Sequence, residues 1–325
     1  MKIKITILIL VLIFINTYAQ VEVASNINDV KYNIDLIKFY IDKNEYNNAL
    51  EYIDKTLEEA TFKDSLYYFK GSIFQQKEDW LQASEFFARS ILHTTDNEII
   101  ISRFVDFELV IVKVSPLSAF DIVSSAVTNA QTSLKQNGFL NILAKLYENN
   151  QLYGEANDVY KTILIETDES EKLNLYIKIA TNKIFQKDYN AALNILDPLI
   201  SLNDSIYIEK LLFLNYIANV SLEQYDDAKS SLIELYLDFP NSKNRGEILS
   251  GLADIFEFQE QYLVSWFMLN ELFKISNEAQ KFKILNDIDR LKRKICEINI
   301  IEDQFKHFKP VFENDKQSIV HENIE

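Results

Sequence analysis

Seven small residues punctuate this chain at a nearly constant interval. Ala49, Ala83, Ala119, Ala156, Ala192, Ala228 and Ser265 follow one another at spacings of 34, 36, 37, 36, 36 and 37 residues. Six of them stand three residues after an aromatic: Tyr46, Trp80, Tyr153, Tyr189, Tyr225 and Tyr262. In the third unit Pro116 takes the aromatic's place. A fixed period in this range signals stacked supersecondary units, each too small to bury its own apolar face.

Each unit reads as two helices. An amphipathic stretch precedes the small anchor, as at 65–76 and 138–149, and another follows it, as at 83–92. The polar turns between them are short, for example Lys77-Glu78-Asp79 or Glu223-Gln224, and short connections make antiparallel neighbours. Where two helices cross at about 8–10 Å, one must present little side chain. Gly71, Ala144, Ala180 and Ala253 supply a second small residue 12 positions before the anchor. Composition agrees with an all-α chain. Only 5 Gly and 4 Pro occur in 325 residues, where average usage gives roughly 23 and 16. Sheet folds with many turns and glycine-rich phosphate loops draw on both residues.

With each unit numbered from 19 residues before its anchor, small residues fall at positions 8 and 20 and aromatics at 17. Position 11 is aromatic at Tyr40, Phe74, Tyr147 and Phe256. Position 24 is large and apolar or aromatic: Ile53, Phe87, Val123, Tyr160, Leu196, Leu232 and Leu269. This pattern resembles the tetratricopeptide repeat family over residues 30–282. The chain departs from it at position 8 in units one, three and six, where Ile37, Phe107 and Tyr216 stand, and the third unit fits least well. The resemblance implies a right-handed α-solenoid of about seven helix-turn-helix repeats, and a groove lined by first helices at positions 2, 5, 9, 12 and 13 that holds a protein or peptide. Some family members clamp a terminal carboxylate there with Lys and Asn. Lys38 and Lys145 occupy position 9, but no Lys stands at position 5 and no Asn at position 9, so the clamp is not expected. The middle units place Phe104, Ile111, Ile177, Phe185, Phe213 and Ile217 on that face. Two readings of these six are open. They form an exposed floor for a segment with apolar anchors and basic flanks, or they are core because the phase slips by one in the longer repeats.

The segments outside the repeat have their own character. Residues 1–19 read as a signal peptide: Lys2 and Lys4, then an apolar run from Ile5 to Ile15, then Thr17-Tyr18-Ala19 before Gln20. That run of 11 residues is too short for a bilayer span of about 20. Residues 20–29 are a lead-in. In 283–309, Ile284, Ile288, Leu291, Ile295 and Ile298 form one helical stripe, expected to cap the exposed core of the last unit; a coiled-coil seam would need more heptads. Residues 310–325 are a polar tail, expected to fray. Pro116 after Ser115 is a helix start, Pro240 a helix stop, Pro198 a kink or early end inside a helix, and Pro310 the close of the final helix.

Net charge is −16, which argues against nucleic acid and anionic membrane surfaces. The single Cys296 excludes an intrachain disulfide and is expected to be a buried structural thiol. His93, His307 and His321 have no spaced partners, so no metal site is expected. Neither a P-loop nor GxGxxG is present, and no cofactor or catalytic residue is assigned. The expectation is a non-catalytic interaction scaffold, exported to the periplasm or secreted. The Asn- and Ile-rich composition and the leader ending Tyr-Ala-Gln resemble exported proteins of Bacteroidetes. An enzyme or enzyme subunit with an unseen pocket, and a sensory component of an envelope signalling system, are the competing readings.

Overall fold

A computed structural model describes residues 31–58, 60, 62–202, 206–297, 308, 310–312 and 319–320. The expected signal peptide and lead-in lie outside these. Fifteen helices are seen among the described residues. The first, α1, is helical from 31 to 42. It is followed by α2 (Tyr46–Leu57), α3 (Lys63–Gln76), α4 (Trp80–His93), α5 (Asn97–Ile111), α6 (Pro116–Asn129), α7 (Ser133–Asn149) and α8 (Tyr153–Glu166). Then come α9 (Glu169–Phe185), α10 (Tyr189–Ser201), α11 (Ile208–Ser221), α12 (Tyr225–Asp238), α13 (Arg245–Phe258), α14 (Tyr262–Ile275) and α15 (Glu278–Glu297). They make seven helix pairs and a final helix, as the period requires. The chain divides into two compact units, Met1–Glu166 with α1–α8 and Thr167–Glu325 with α9–α15.

The small anchors do what the spacing predicts. Ala49, Ala83, Ala156, Ala192, Ala228 and Ser265 have no exposed surface, and Ala119 has 1%. In the last pair Ser265 donates its hydroxyl to the carbonyl of Ala253, 2.7 Å away, so the two small residues of that crossing are joined directly. Gly71 lies against the Phe87 ring: a Cβ there would sit 2.7 Å from Cδ1. The position-24 residues fill the centre, with Ile53, Phe87, Val123, Tyr160, Leu196 and Leu232 fully buried.

The position-17 aromatics are half-buried at the edge of the core, against which Tyr46, Tyr225 and Tyr262 pack. Three of them also meet a group from the following pair or from the final helix. The Lys113 ammonium lies 3.7 Å over the Trp80 ring, the Tyr225 and Phe258 rings are 4.5 Å apart, and Lys294 sits 5.1 Å over Tyr262.

The turns inside the pairs share one backbone device. Asn44, Glu78, Gln151, Lys187, Glu223 and Glu260 each stand five residues before an anchor and have φ between 58° and 62°. Each is followed by a residue whose N–H donates back to the carbonyl five residues earlier, as Asp79 to Phe74 and Asp188 to Lys183 at 2.9 Å. This is a Schellman closure of the first helix. The chain makes it without glycine, since no glycine has positive φ. Lys187→Gly should therefore stabilise. Relief of about 1–2 kcal/mol of left-handed strain outweighs glycine's extra entropy of about 0.5–1 kcal/mol. A raised urea midpoint for Lys187→Gly, and a larger one when Glu223→Gly is added, is the expected result.

The third pair is different. Phe107 occupies the crossing position that is small in the second, fourth, fifth and seventh pairs, and the linker from 112 to 115 has no left-handed residue. α5 packs chiefly on α4, and α6 on α4 and α7, rather than on each other. Ser115 still caps α6, accepting from the Ser118 N–H at 3.4 Å ahead of Pro116 at the helix start. Pro198 does not stop α10 at once: it lies in the last turn, where little ladder remains to break, and the helix ends at Ser201.

α15 caps the second unit. Ile284, Ile288, Leu291 and Ile295 face inward and are at most 8% exposed; Ile298 lies outside the described residues. Cys296 is exposed, contrary to expectation. One residue beyond Ile295 is about 100° further round the helix, which turns the thiol outward. Beyond the helix, Phe308 packs edge-on to Phe267 of α14 at 6.4 Å and Pro310 is buried. Val311–Phe312 (β1) pairs antiparallel with Ile319–Val320 (β2). Part of the expected polar tail is therefore paired as strand. Pro310 precedes β1; the segment before it, where the final helix was expected to close, lies largely outside the described residues.

Ion pairs hold α15 on α13. Arg290 donates to both carboxylate oxygens of Glu257, and Lys294 donates to the same carboxylate at 2.9 Å. The Arg290 hydrogen bonds, then Lys294, hold the Glu257 carboxyl below the usual glutamate range. A depressed folded pKa adds stability that is present above the unfolded value of about 4.3 and lost as pH falls through the folded one. Nearby Asp254 has the opposite sign: desolvation, then Glu257 and Asp287, raise it. Acid titration followed by circular dichroism should show the second unit loosening below about pH 4, and Glu257→Gln should remove that step while lowering stability at pH 7.

Candidate interaction face

The first helices α3, α5 and α7 are joined side to side by polar contacts. The Tyr68 hydroxyl on α3 donates to Asp106 on α5 at 2.9 Å. Desolvation and then this bond raise the Tyr68 pKa, keeping the phenol a donor. On the other side Lys145 of α7 donates to Glu108 of α5. Arg103 turns inward, pairing with Asp64 at 3.0 Å and donating to the Ser90 carbonyl at 3.3 Å. Lys135 of α7 caps the same end of α4, donating to the Leu92 carbonyl at 2.8 Å. Burial lowers the Lys135 pKa. Burial, then Lys63 and Lys135, lowers that of His93, which rests on the Tyr67 ring at 5.2 Å. These contacts are structural.

α5 is apolar nearly all round. One side is consumed by aromatic packing: Phe104 and Phe107 meet Phe139 of α7 edge-on at 4.9 and 5.6 Å. Phe104 lies on Gly138, where a Cβ would come within 2.3 Å of its ring. What remains on the outer side is Ile101, Val105, Leu109 and Val112, each between 55% and 58% exposed. Their spacings of 4, 4 and 3 put them in one stripe about 16 Å long. It runs between the Tyr68–Asp106 contact on the α3 side and the Glu108–Lys145 contact on the α7 side.

The six residues proposed from sequence are distributed differently. Ile111 and Ile177 are fully buried and present nothing to a partner. Ile177 packs with Ala180, Ala192, Leu196 and Leu211. Phe104, Phe213 and Ile217 are half-buried. Phe213 packs on the core of the second unit, its ring 5.9 Å from that of Tyr216. Phe185, at the end of α9, is 59% exposed. Phe104 and Ile111 belong to the first compact unit and the other four to the second. In α5 the phase slips by one: Val105 and Val112 are outside where Phe104 and Ile111 were expected. The cause is Phe107 at the crossing and the slot over Gly138, which together rotate the large rings inward. The sequence signal for the true stripe was the all-round apolarity of 99–112.

A second, shallower depression of about 550 Å³ lies at the turns of pairs two and three, lined by Lys77–Leu81, Lys113–Ser115 and Ser118. It mixes both charge signs. Among the described residues no group of three His, Cys, Asp or Glu side chains is placed to hold a metal ion, and no helix is long and apolar enough to cross a membrane.

No family model and no curated protein sequence matches the chain. Among solved structures it is similar to the C-terminal part of a TPR repeat-containing protein from Cytophaga hutchinsonii. That alignment has 13% identity over 77% of this chain and 98% of that one, with a TM-score of 0.53. A tetratricopeptide repeat protein from Parabacteroides merdae aligns at 16% identity over 75% and 96% of the two chains, with a TM-score of 0.48. At such identities the likeness is one of fold. The repeat period, the small-residue crossings, the paired helices and the Cytophaga structure agree: the chain has the fold of a tetratricopeptide-repeat solenoid.

Proposed function

We propose that this protein is a non-catalytic interaction scaffold of the cell envelope, and that its first-helix face in pairs two to four receives a protein segment. The observation that carries the reading is the exposed stripe Ile101, Val105, Leu109 and Val112. A helix apolar all round is ordinarily covered on every side, and a contiguous exposed apolar patch marks an interaction surface. The polar contacts on both edges of α5 give the stripe fixed walls, as a docking site needs. Export is supported by the basic, apolar and small-residue order of 1–19.

Affinity capture from envelope extracts tests the first part. Wild type and Val105→Ser/Leu109→Ser should fold alike by circular dichroism, because both positions are more than half exposed. The wild type should retain a protein that the double variant loses, and direct titration of the purified partner should reproduce the difference. Identical retained sets would overturn the assignment. N-terminal sequencing that begins at Gln20 is the expected result for export; Met1 on the envelope protein would overturn it.

A further inference from the structure

The α5 stripe has three candidate occupants: a second copy of this chain, a neutral or acidic segment, and a cationic one. Area and charge separate them. Four aliphatic side chains slightly more than half exposed make a patch on the order of a few hundred Å². A stable folded interface buries ~800 Å² on each partner. The stripe alone is therefore too small to hold two folded copies, but three helical turns of a partner segment match its length.

The charge around it is predominantly acidic, with Glu98, Asp106 and Glu108 set against Lys145. Asp96 and Glu98 are exposed at its N-terminal end, Asp96 being spent on the helix cap. Asp106 on one edge is bound by a neutral phenol, and Glu108 on the other by Lys145. The cations of α5 point elsewhere: Arg103 is buried against Asp64 and Lys113 lies on Trp80. Self-association through this face would set the acidic edges of two chains of net charge −16 against each other, which costs affinity.

Resting on the reading of this chain as an interaction scaffold, we infer that the α5 stripe takes a cationic amphipathic helix. Its apolar side chains, spaced i, i+4 and i+7, lie along Ile101, Val105, Leu109 and Val112. Its Lys or Arg flanks face Glu98, Asp106 and Glu108.

Fluorescence anisotropy with three labelled peptides of equal length tests this on the purified chain. The probes are a Leu/Lys amphipathic helix, a Leu/Glu helix with the same leucine positions, and a Lys/Ser peptide without leucine. The Leu/Lys helix should bind about tenfold or more tightly than either of the others, with affinity falling as salt rises. Val105→Ser/Leu109→Ser should weaken it about tenfold while leaving the Lys/Ser peptide unchanged, and Glu98→Gln/Asp106→Asn should flatten the salt dependence. Equal or tighter binding of the Leu/Glu helix would overturn the inference. So would equal binding of the Lys/Ser peptide, which would mean that net charge alone holds the probe. A concentration-dependent dimer in sedimentation, abolished by Val105→Ser/Leu109→Ser, would assign the stripe to a second copy and overturn it too. If the Leu/Lys helix fails but a captured envelope partner still depends on Val105 and Leu109, this inference falls and the scaffold reading stands. If that dependence is also absent, both fall.

Discussion

Ile177→Ala should cost about 2–5 kcal/mol of stability, whereas Phe185→Ser on the same helix should cost about 0.5 kcal/mol or less. Ile177 has no exposed surface and sits among Ala180, Ala192, Leu196 and Leu211. Truncation there removes transfer free energy and leaves a cavity that Ala180 on the same helix and Ala192 on α10 are too short to fill. Phe185 is 59% exposed at the end of α9. Urea melts of the two variants read the difference directly. A near-neutral Ile177→Ala would place α9 in another rotational phase and undo the packing of the second unit.

Gly138→Ala is the second large effect. The added Cβ would fall 2.3 and 2.4 Å from Phe104 ring atoms, far inside van der Waals contact. Either the ring leaves its slot or α5 and α7 separate, and overpacking of this kind costs about 1–3 kcal/mol. Phe104→Leu in the Gly138→Ala background should recover part of the loss, because a shorter side chain vacates the slot. The two changes should therefore be non-additive in a double-mutant cycle. Additive losses would show that Phe104 and Gly138 do not share the contact.

The pairing of helices was legible in the sequence because it depends on local spacing. A crossing tolerates only a small residue, so anchors such as Ala49, Ala83 and Ala192 recur at the length of one pair. The cap on the second unit was legible for the same kind of reason: Ile284, Ile288, Leu291 and Ile295 form a stripe that has to be buried. The six backbone turns at positive φ were not legible, since Glu, Gln and Lys carry no glycine-like signal. Their conformation is imposed by closing one helix and starting the next within three residues. Nor was the strand pairing of 311–312 with 319–320, which a backbone partner decides.

The docking face divides the same way. Sequence by itself placed Phe104 and Ile111 on the first helix of the third pair and made the chain acidic. It did not determine which side of that helix is exposed, because an apolar pattern all round has no preferred phase. Tertiary structure decided it. Phe107 stands at a crossing position that is small in four of the seven pairs, and Gly138 on the next first helix leaves room for one aromatic ring. Burying Phe104 and Phe107 against Phe139 turns α5 by one residue and leaves Ile101, Val105, Leu109 and Val112 facing out. The contact that sets this phase joins residues more than 30 positions apart, which is why local periodicity left it undetermined.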